Sequence, residues 1–273
     1  MVLKQSIFFK EMKFSIITVN LNNQEGLKKT AESIVEQTIS DYEWLVIDGG
    51  STDGSLEVIR RYADKISYWV SEPDGGIYSA MNKGIAKSQG DYLLFLNSGD
   101  YLASNRIIEN VSNHSLDSDF VVGAVSPSND CGQNPTKVDY SPDEELMRLC
   151  VSSFPHQATF IHHNVFQKYG FYREDKLITS DWYLFICAVI RGCATVSYIP
   201  MVISIMEQGG ISQRNPKLFF HERDSFLKET PYLRNLMYFF SDNYDLVCAL
   251  KSNKFIFFLF RVYFWFYRKF NTV

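Results

Sequence analysis

The chain has 273 residues, enough for one large domain or one domain with an appendage. With 46% apolar and 21% charged residues and only 15 Gly and 8 Pro, it can bury a sizeable core, which excludes disordered, collagen-like and small stapled scaffolds. Its 27 Lys and Arg against 31 Asp and Glu leave a net charge of −4, so overall charge makes no case for a nucleic-acid partner.

In chain order, Phe14 to Val19 (FSIITV) reads as a buried strand that ends in the polar cluster Asn20, Asn22 and Asn23. Apolar residues at Leu27, Ala31, Ile34 and Val35 predict an amphipathic helix over Gln24 to Thr38. Tyr42 to Ile47 is the next strand, Asp48 to Gly54 a glycine-rich turn, and Ser55 to Ala63 a second helix. A third strand over Ile66 to Val70, a helix over Gly76 to Ser88 and a fourth strand over Tyr92 to Leu96 complete the regular part. This alternation calls for an α/β fold, a mostly parallel central sheet with helices on both faces, whose ligands bind beyond the carboxyl ends of the strands. The polar clusters at Thr18 to Asn23, Asp48 to Asp53 and Asn97 to Asp100 all fall there.

The second half is less regular. Strands are expected over Asp119 to Val125, His156 to Ile161 and Thr195 to Ile205, with a polar loop over Ser126 to Tyr140 and a short helix over Pro142 to Cys150. A longer helix, capped by Ser180, is expected over Ser180 to Arg191. Three regions result: an extension over 1–11, a domain over 12–212 whose regular part ends at residue 100, and a helical, increasingly aromatic region over 213–273.

Two turns carry candidate chemistry. In Asp48-Gly49-Gly50-Ser51-Thr52-Asp53-Gly54, glycines permit close backbone approach to a ligand and the carboxylates can accept hydrogen bonds from a base or ribose. The same residues also suit a strand-to-helix turn with Asp53 or Ser55 as the helix cap, and spacing does not separate the two readings. Asn97-Ser98-Gly99-Asp100 can hold Mg²⁺ or Mn²⁺ against a diphosphate, or can simply be a turn. The chain has neither a GxGxxG nor a GxxxxGK[ST] motif, which counts against dinucleotide oxidoreductases and P-loop NTPases.

The runs FSIITVNLNN, LVIDGGSTDGS, DGGIYSAMNKGIAKSQGDY and LLFLNSGD, followed by HQATFI and SDWYLFICAVIRG, resemble family 2 inverting glycosyltransferases with the GT-A fold, above all bacterial enzymes of capsule, O-antigen and exopolysaccharide assembly. The resemblance implies a nucleotide-sugar donor of the UDP class and a glycan or polyprenol-linked acceptor. It places Thr18 and Asn20 beside the nucleotide, Asp48 on the base, and Asp53 and Asn82 around the donor, with Lys83 compensating diphosphate charge. Asp181 becomes the base that takes the acceptor's proton, and His156, Gln157 and Trp182 lie on the acceptor side. Asp100 falls in the stretch matching the metal-binding DxD motif, where Asn97 and Gly99 stand in the acidic positions, and would hold Mn²⁺ or Mg²⁺. A catalytically inactive nucleotide-sugar-binding or scaffolding subunit is the alternative.

The five cysteines show no metal or CxxC spacing, and the first ten residues lack the apolar stretch of a signal peptide, so a cytosolic location with free thiols is expected. Near the end, FIFFLF and VYFWFY are broken by Arg261 and followed by Arg268 and Lys269. That pattern suits a helix lying in the inner membrane surface better than one crossing it. Oligomeric state is not legible.

Overall fold

The computed structural model describes residues 14–129, 149, 152–192, 194–230 and 234. The expected extension at the N-terminus, most of the polar loop and the helix after it, and the aromatic-basic segment near the C-terminus lie outside the described residues. Among the described residues no helix is long and apolar enough to cross a membrane.

Eight strands form one sheet. They are β1 (Phe14–Asn20), β2 (Tyr42–Asp48), β3 (Tyr68–Ser71), β4 (Tyr92–Phe95), β5 (Tyr101–Leu102), β6 (Phe120–Pro127), β7 (Thr159–His162) and β8 (Val196–Met206), in the spatial order β3-β2-β1-β4-β7-β6-β8-β5. The half that alternates with helices in the sequence is parallel throughout: β1 pairs in parallel with β2 and β4, and β2 with β3. Beyond β4 the sheet is mixed, because β7 runs antiparallel to both β4 and β6, and β5 antiparallel to β8, while β6 and β8 are parallel.

The near-continuous apolar runs of β1, β2 and β4 follow from burial on both faces. Ile17, Val19, Leu45, Ile47 and Phe95 face one core layer, filled from the helix side by Tyr78, Met81 and Ile85 of α3 (Ile77–Lys87), among others. Phe14, Ile16, Trp44, Val46 and Leu94 face the other, covered by α1 (Gln24–Val35), α2 (Ser55–Arg61) and α4 (Ile107–Ser112). Strand alternation therefore feeds two cores from one sheet.

The second half departs from expectation in two places that matter. His156 to Ala158 form a 3-10 turn, and β7 starts only at Thr159, so His156 lies off the sheet. The helix expected over Ser180 to Arg191 is an α-helix only to Ile186 and closes with a π turn over Cys187 to Arg191. Its cap position is Thr179, not Ser180, whose hydroxyl instead accepts from the Arg173 N–H. The remaining helices are α5 (His163–Tyr169), α6 (Ser180–Ile186), α7 (Ile211–Arg214) and α8 (Pro216–Glu229). Although α8 falls within the expected appendage, Phe226 packs edge-on against Trp182 and Tyr183 of α6, with ring centroids 5.4 and 4.6 Å away. It is part of the main core.

Candidate functional site

The carboxyl ends of β1, β2 and β4 lie side by side, and hydrogen bonds join their turns. Asn23 donates to the Ser98 carbonyl, and Thr30 of α1 accepts from the Gly99 N–H and donates to the Asp100 carbonyl. The three polar clusters read from the sequence thus form one site.

At its first corner Asp48 is wholly buried and accepts four hydrogen bonds, from Asn20 Nδ2 (2.7 Å), Ser51 Oγ (2.5 Å), Ser51 N (2.9 Å) and Ser71 Oγ (2.6 Å). Burial pushes its pKa up, yet the hydrogen bonds from Ser51, Ser71 and Asn20 outweigh it and hold the carboxyl below its ordinary value. With both oxygens filled, Asp48 organises the turn in this conformation and does not present itself to a base. The unfilled acceptor here is the neighbouring Asn20 Oδ1, buried and without a partner among the described residues.

Asp53 is exposed, and its carboxylate accepts from Gln24 N at the start of α1 and from Ser55 N and Oγ at the start of α2, while the cap position of α2 is Gly54 rather than Asp53 or Ser55. It ties together two helix N-termini. Thr18 is fully buried and its hydroxyl accepts from Trp44 Nε1, so its side chain faces the core. Asn82 exchanges hydrogen bonds with the Tyr172 backbone and donates to Glu174, so it holds the 172–174 loop against α3. Lys83 pairs with Glu72 at 2.8 Å.

At the second corner Gly99 adopts φ +106°, a backbone conformation in which any side chain is strained, and a Cβ there would meet the carboxylate of Glu207, which follows β8. A side chain at this position of the motif would therefore carry backbone strain and require Glu207 to move. Glu207 also pairs with Lys29 at 3.3 Å, and its N–H donates to Asp100 Oδ1 at 3.0 Å. Asp100 is itself buried and makes no ion pair among the described residues. Burial pushes its pKa up to about 6; His156 and the Glu207 N–H oppose the shift and the Glu207 charge adds to it. A buried carboxylate lacking a counter-ion, beside a second carboxylate, suits a hard divalent cation whose other ligands come from phosphate and water. No group of three or more His, Cys, Asp or Glu side chains placed to hold a metal occurs among the described residues, so the ligand would have to supply the rest.

Since the folded-state pKa of Asp100 is raised, its ionisation works against folding: protonated it costs little, and the penalty grows as pH rises from about 4 to about 6. Asp100→Asn is therefore expected to raise the thermal midpoint at pH 7.5 relative to the native protein, with the gap closing near pH 4. Differential scanning calorimetry at the two pH values checks this, and an unchanged or lowered midpoint at pH 7.5 counts against a buried, unpaired charge.

The third corner brings Asp181 and His156, both expected from the resemblance, together with Asn97 of the strand-end turn. Asp181, in the first turn of α6, points Oδ2 at His156 Nδ1 (3.3 Å), and His156 Nε2 lies 3.1 Å from Asn97 Nδ2. The other oxygen, Oδ1, accepts from Trp182 N at 2.7 Å and lies 3.1 Å from Tyr78 Oη. Burial drives the Tyr78 phenol well above its ordinary pKa, the Asp181 charge adding to it, so it stays protonated. Burial lowers the His156 pKa, but its bond to Asp181 and the charges of Asp181 and Asp100 outweigh this and raise it.

Of the other expected acceptor-side residues, Gln157 is buried and Trp182 lies in the core with its Nε1 donating to the Leu149 carbonyl, which removes Trp182 from the acceptor side. One residue that no motif flagged supports the corner from α8. Glu222 is buried and accepts from the N–H groups of Leu177, Ile178 and Thr179 and from the Thr179 hydroxyl, clasping the loop that leads into Asp181.

The family model for glycosyl transferase family 2 matches residues 15–177, more than half of the chain. An uncharacterized glycosyltransferase of Mycobacterium tuberculosis H37Rv is 41% identical over 95 residues, a stretch that spans 34% of this chain and only 36% of that protein. A PGL/p-HBAD biosynthesis glycosyltransferase of M. tuberculosis H37Ra is 30% identical over 208 residues, 73% of this chain and 78% of that one. Among solved structures, S. aureus TarS 1–349 in complex with UDP-GlcNAc superposes with a TM-score of 0.60 at 17% identity, over 73% of this chain and 59% of that one. The mannosyltransferase PcManGT from Pyrobaculum calidifontis, in complex with GDP-Man and Mn²⁺, does so with a TM-score of 0.54 at 17% identity, over 72% and 57% of the two chains. At such identities the likeness is one of fold.

Proposed function

The chain belongs to glycosyl transferase family 2, and from that membership we propose that it moves a sugar, with inversion, from a UDP-sugar to a lipid-linked or growing glycan during cell-surface polysaccharide assembly, at the cytoplasmic face of the inner membrane. The observation that carries this reading is the line Asp181, His156, Asn97, which runs from a carboxylate base to the turn ending in Asp100. A transfer of this kind needs a base on the acceptor side and charge stabilisation where the diphosphate departs, and the line joins the two places. The UDP-GlcNAc complex of the structural neighbour TarS supports the donor class, and the glycosyltransferase name of the mycobacterial relative supports the activity.

Asp100 and Glu207 would hold Mn²⁺ or Mg²⁺. When bound, the ion neutralises charge developing on the diphosphate. The unfilled acceptor Asn20 Oδ1 is available to an N–H of the base, with Asp48 fixing the turn around it. The Asp181 region removes the acceptor hydroxyl's proton as the new glycosidic bond forms and the bond from the anomeric carbon to phosphate breaks.

Isothermal titration of the protein with UDP, GDP and dTDP, each with and without Mn²⁺, tests the reading. UDP is expected to bind most tightly and to do so with Mn²⁺ present, and Asp100→Asn to lose the Mn²⁺-dependent part. Binding of none of the three would sink the donor site, and binding without any turnover of a UDP-sugar would turn the assignment to the scaffolding alternative.

A further inference from the structure

We propose that Tyr78 is a positioning residue for the base: its one hydroxyl hydrogen alternates between the Ile178 carbonyl and Asp181 Oδ1, holding the carboxylate while it is charged and releasing it once it has taken the acceptor's proton. The proposal rests on the transferase reading above, with Asp181 as the base. Tyr78 Oη lies 2.7 Å from the Ile178 carbonyl oxygen and 3.1 Å from Asp181 Oδ1. A phenol has a single hydrogen to donate, so the two acceptors compete for it. An ionised carboxylate attracts that hydrogen more strongly than a carbonyl does, and a protonated one loses the advantage. The hydroxyl therefore answers to the charge on Asp181, whereas the Trp182 N–H, 2.7 Å from the same oxygen, is fixed by the backbone.

The surroundings hold the phenol in place. Tyr78 stands in the first turn of α3, buried, with its ring centroid 5.4 Å from that of Tyr172. One turn further along α3, Asn82 donates to the Tyr172 carbonyl at 2.8 Å and accepts from the Tyr172 N–H at 2.9 Å, which ties to the same helix the segment that runs on to Ile178. From the other side Glu222 of α8 accepts from the Ile178 N–H at 3.1 Å, so the second acceptor is anchored as well. The helix itself begins directly after Gly75 and Gly76, in a turn whose Asp74 lies beside Gly49 at the end of β2. One rigid element thus runs from the first corner of the site to the base.

The charged and titratable groups around Asp181 are His156 at Oδ2, Tyr78 at Oδ1 and Tyr172, whose phenol also feels the carboxylate's charge, with Asp100 beyond His156. From α8, Arg223 lies over the Trp182 ring and Glu222 holds the loop before Asp181. In the transfer the acceptor oxygen bonds to the anomeric carbon and its proton passes to the Asp181 carboxylate. The bond from that carbon to the phosphate oxygen breaks, and its electron pair leaves with the nucleoside diphosphate. Tyr78 keeps its own proton throughout, as its burial requires.

Two measurements on the full chain test this role. The first needs no substrate: in protein labelled with ¹³C at tyrosine Cζ, the Tyr78 signal, assigned by ring-to-backbone correlations, is followed by NMR from about pH 3 to about pH 8. A transition is expected in the native protein and in His156→Gln, and none in Asp181→Asn. A flat native signal, or the same transition in Asp181→Asn, overturns the proposal, since a hydroxyl that stays on Ile178 does not change its partner.

The second follows UDP release from UDP-GlcNAc with water as acceptor. Tyr78→Phe, which keeps the ring and removes only the hydroxyl, is expected to lower kcat by about 10-fold while UDP affinity stays within about twofold, and to move the acid limb of the rate profile to higher pH, because the charged form of the base has lost a donor. A merely structural role would lower the rate alike at every pH, so an acid limb that stays in place, with or without a loss of rate, overturns the proposal. Where Tyr78→Phe does not fold, or the native protein releases no UDP, the Cζ titration decides alone. Failure of the native protein to bind UDP would instead sink the transferase reading, while the same titration still shows whether Tyr78 follows Asp181.

Discussion

Asp181→Asn is expected to lower turnover by about 100- to 10,000-fold while changing UDP affinity by less than about twofold. The asparagine keeps one oxygen for the Trp182 N–H and for Tyr78, so α6 and its first turn hold their shape. What is lost is the negative charge facing His156 Nδ1, replaced by an amide that either opposes the ring's N–H or forces the other tautomer. On the proposed reading donor binding depends on the corners around Asn20 and Asp100, which Asp181 does not touch, so the effect belongs in kcat. A variant that turns over within about tenfold of the native rate would remove Asp181 from the chemistry.

The largest effect on stability is expected at Glu222. Glu222→Ala withdraws the acceptor from three consecutive backbone N–H groups, at Leu177, Ile178 and Thr179, two of them in buried bonds, and leaves the Thr179 hydroxyl without it. An unsatisfied buried donor costs about 1–3 kcal/mol, and water will reach part of this loop, so a loss of about 3 kcal/mol in urea unfolding is expected. Turnover should fall with it, since the clasped loop leads directly into Asp181. Glu222→Gln, which retains one acceptor oxygen but turns an N–H₂ toward the same donors, should fall between the two. An alanine variant that loses less than about 1 kcal/mol would show that water satisfies the loop and that α8 contributes packing alone.

Both predictions rest on features whose legibility differs. The strands at Phe14 and Tyr42 and the turn after Tyr92 follow from apolar runs punctuated by Asn, Asp and Gly, and the structure places their ends together. Asp48 closes β2, Asp53 lies just before α2, Asp100 lies in the turn between β4 and β5, and Asp181 stands in the first turn of α6, as their places in the sequence suggest. Their working partners are another matter. Asp48 looks available in the sequence and is filled by Asn20, Ser51 and Ser71 in the fold. Thr18 and Trp182 sit within matching motifs, and both turn inward, because a position next to a polar cluster still alternates with the pleat or the helix face.

Sequence alone determined the alternating strands and helices, the parallel half of the sheet and the carboxyl-end location of the site, because period, turn residues and burial are properties of neighbouring residues. The tertiary structure decided which side chains meet. His156 and Asp181 are separated by 25 positions, Asp100 and Glu207 by 107, and Glu222 reaches back across more than 40 to the loop it holds. No local periodicity encodes such meetings, since they depend on strand order and on the path of the chain between elements. Gly99 shows the division most sharply: as a sequence position it is a gap in an acidic motif, and in the fold it is a positive-φ turn position beside the carboxylate of Glu207.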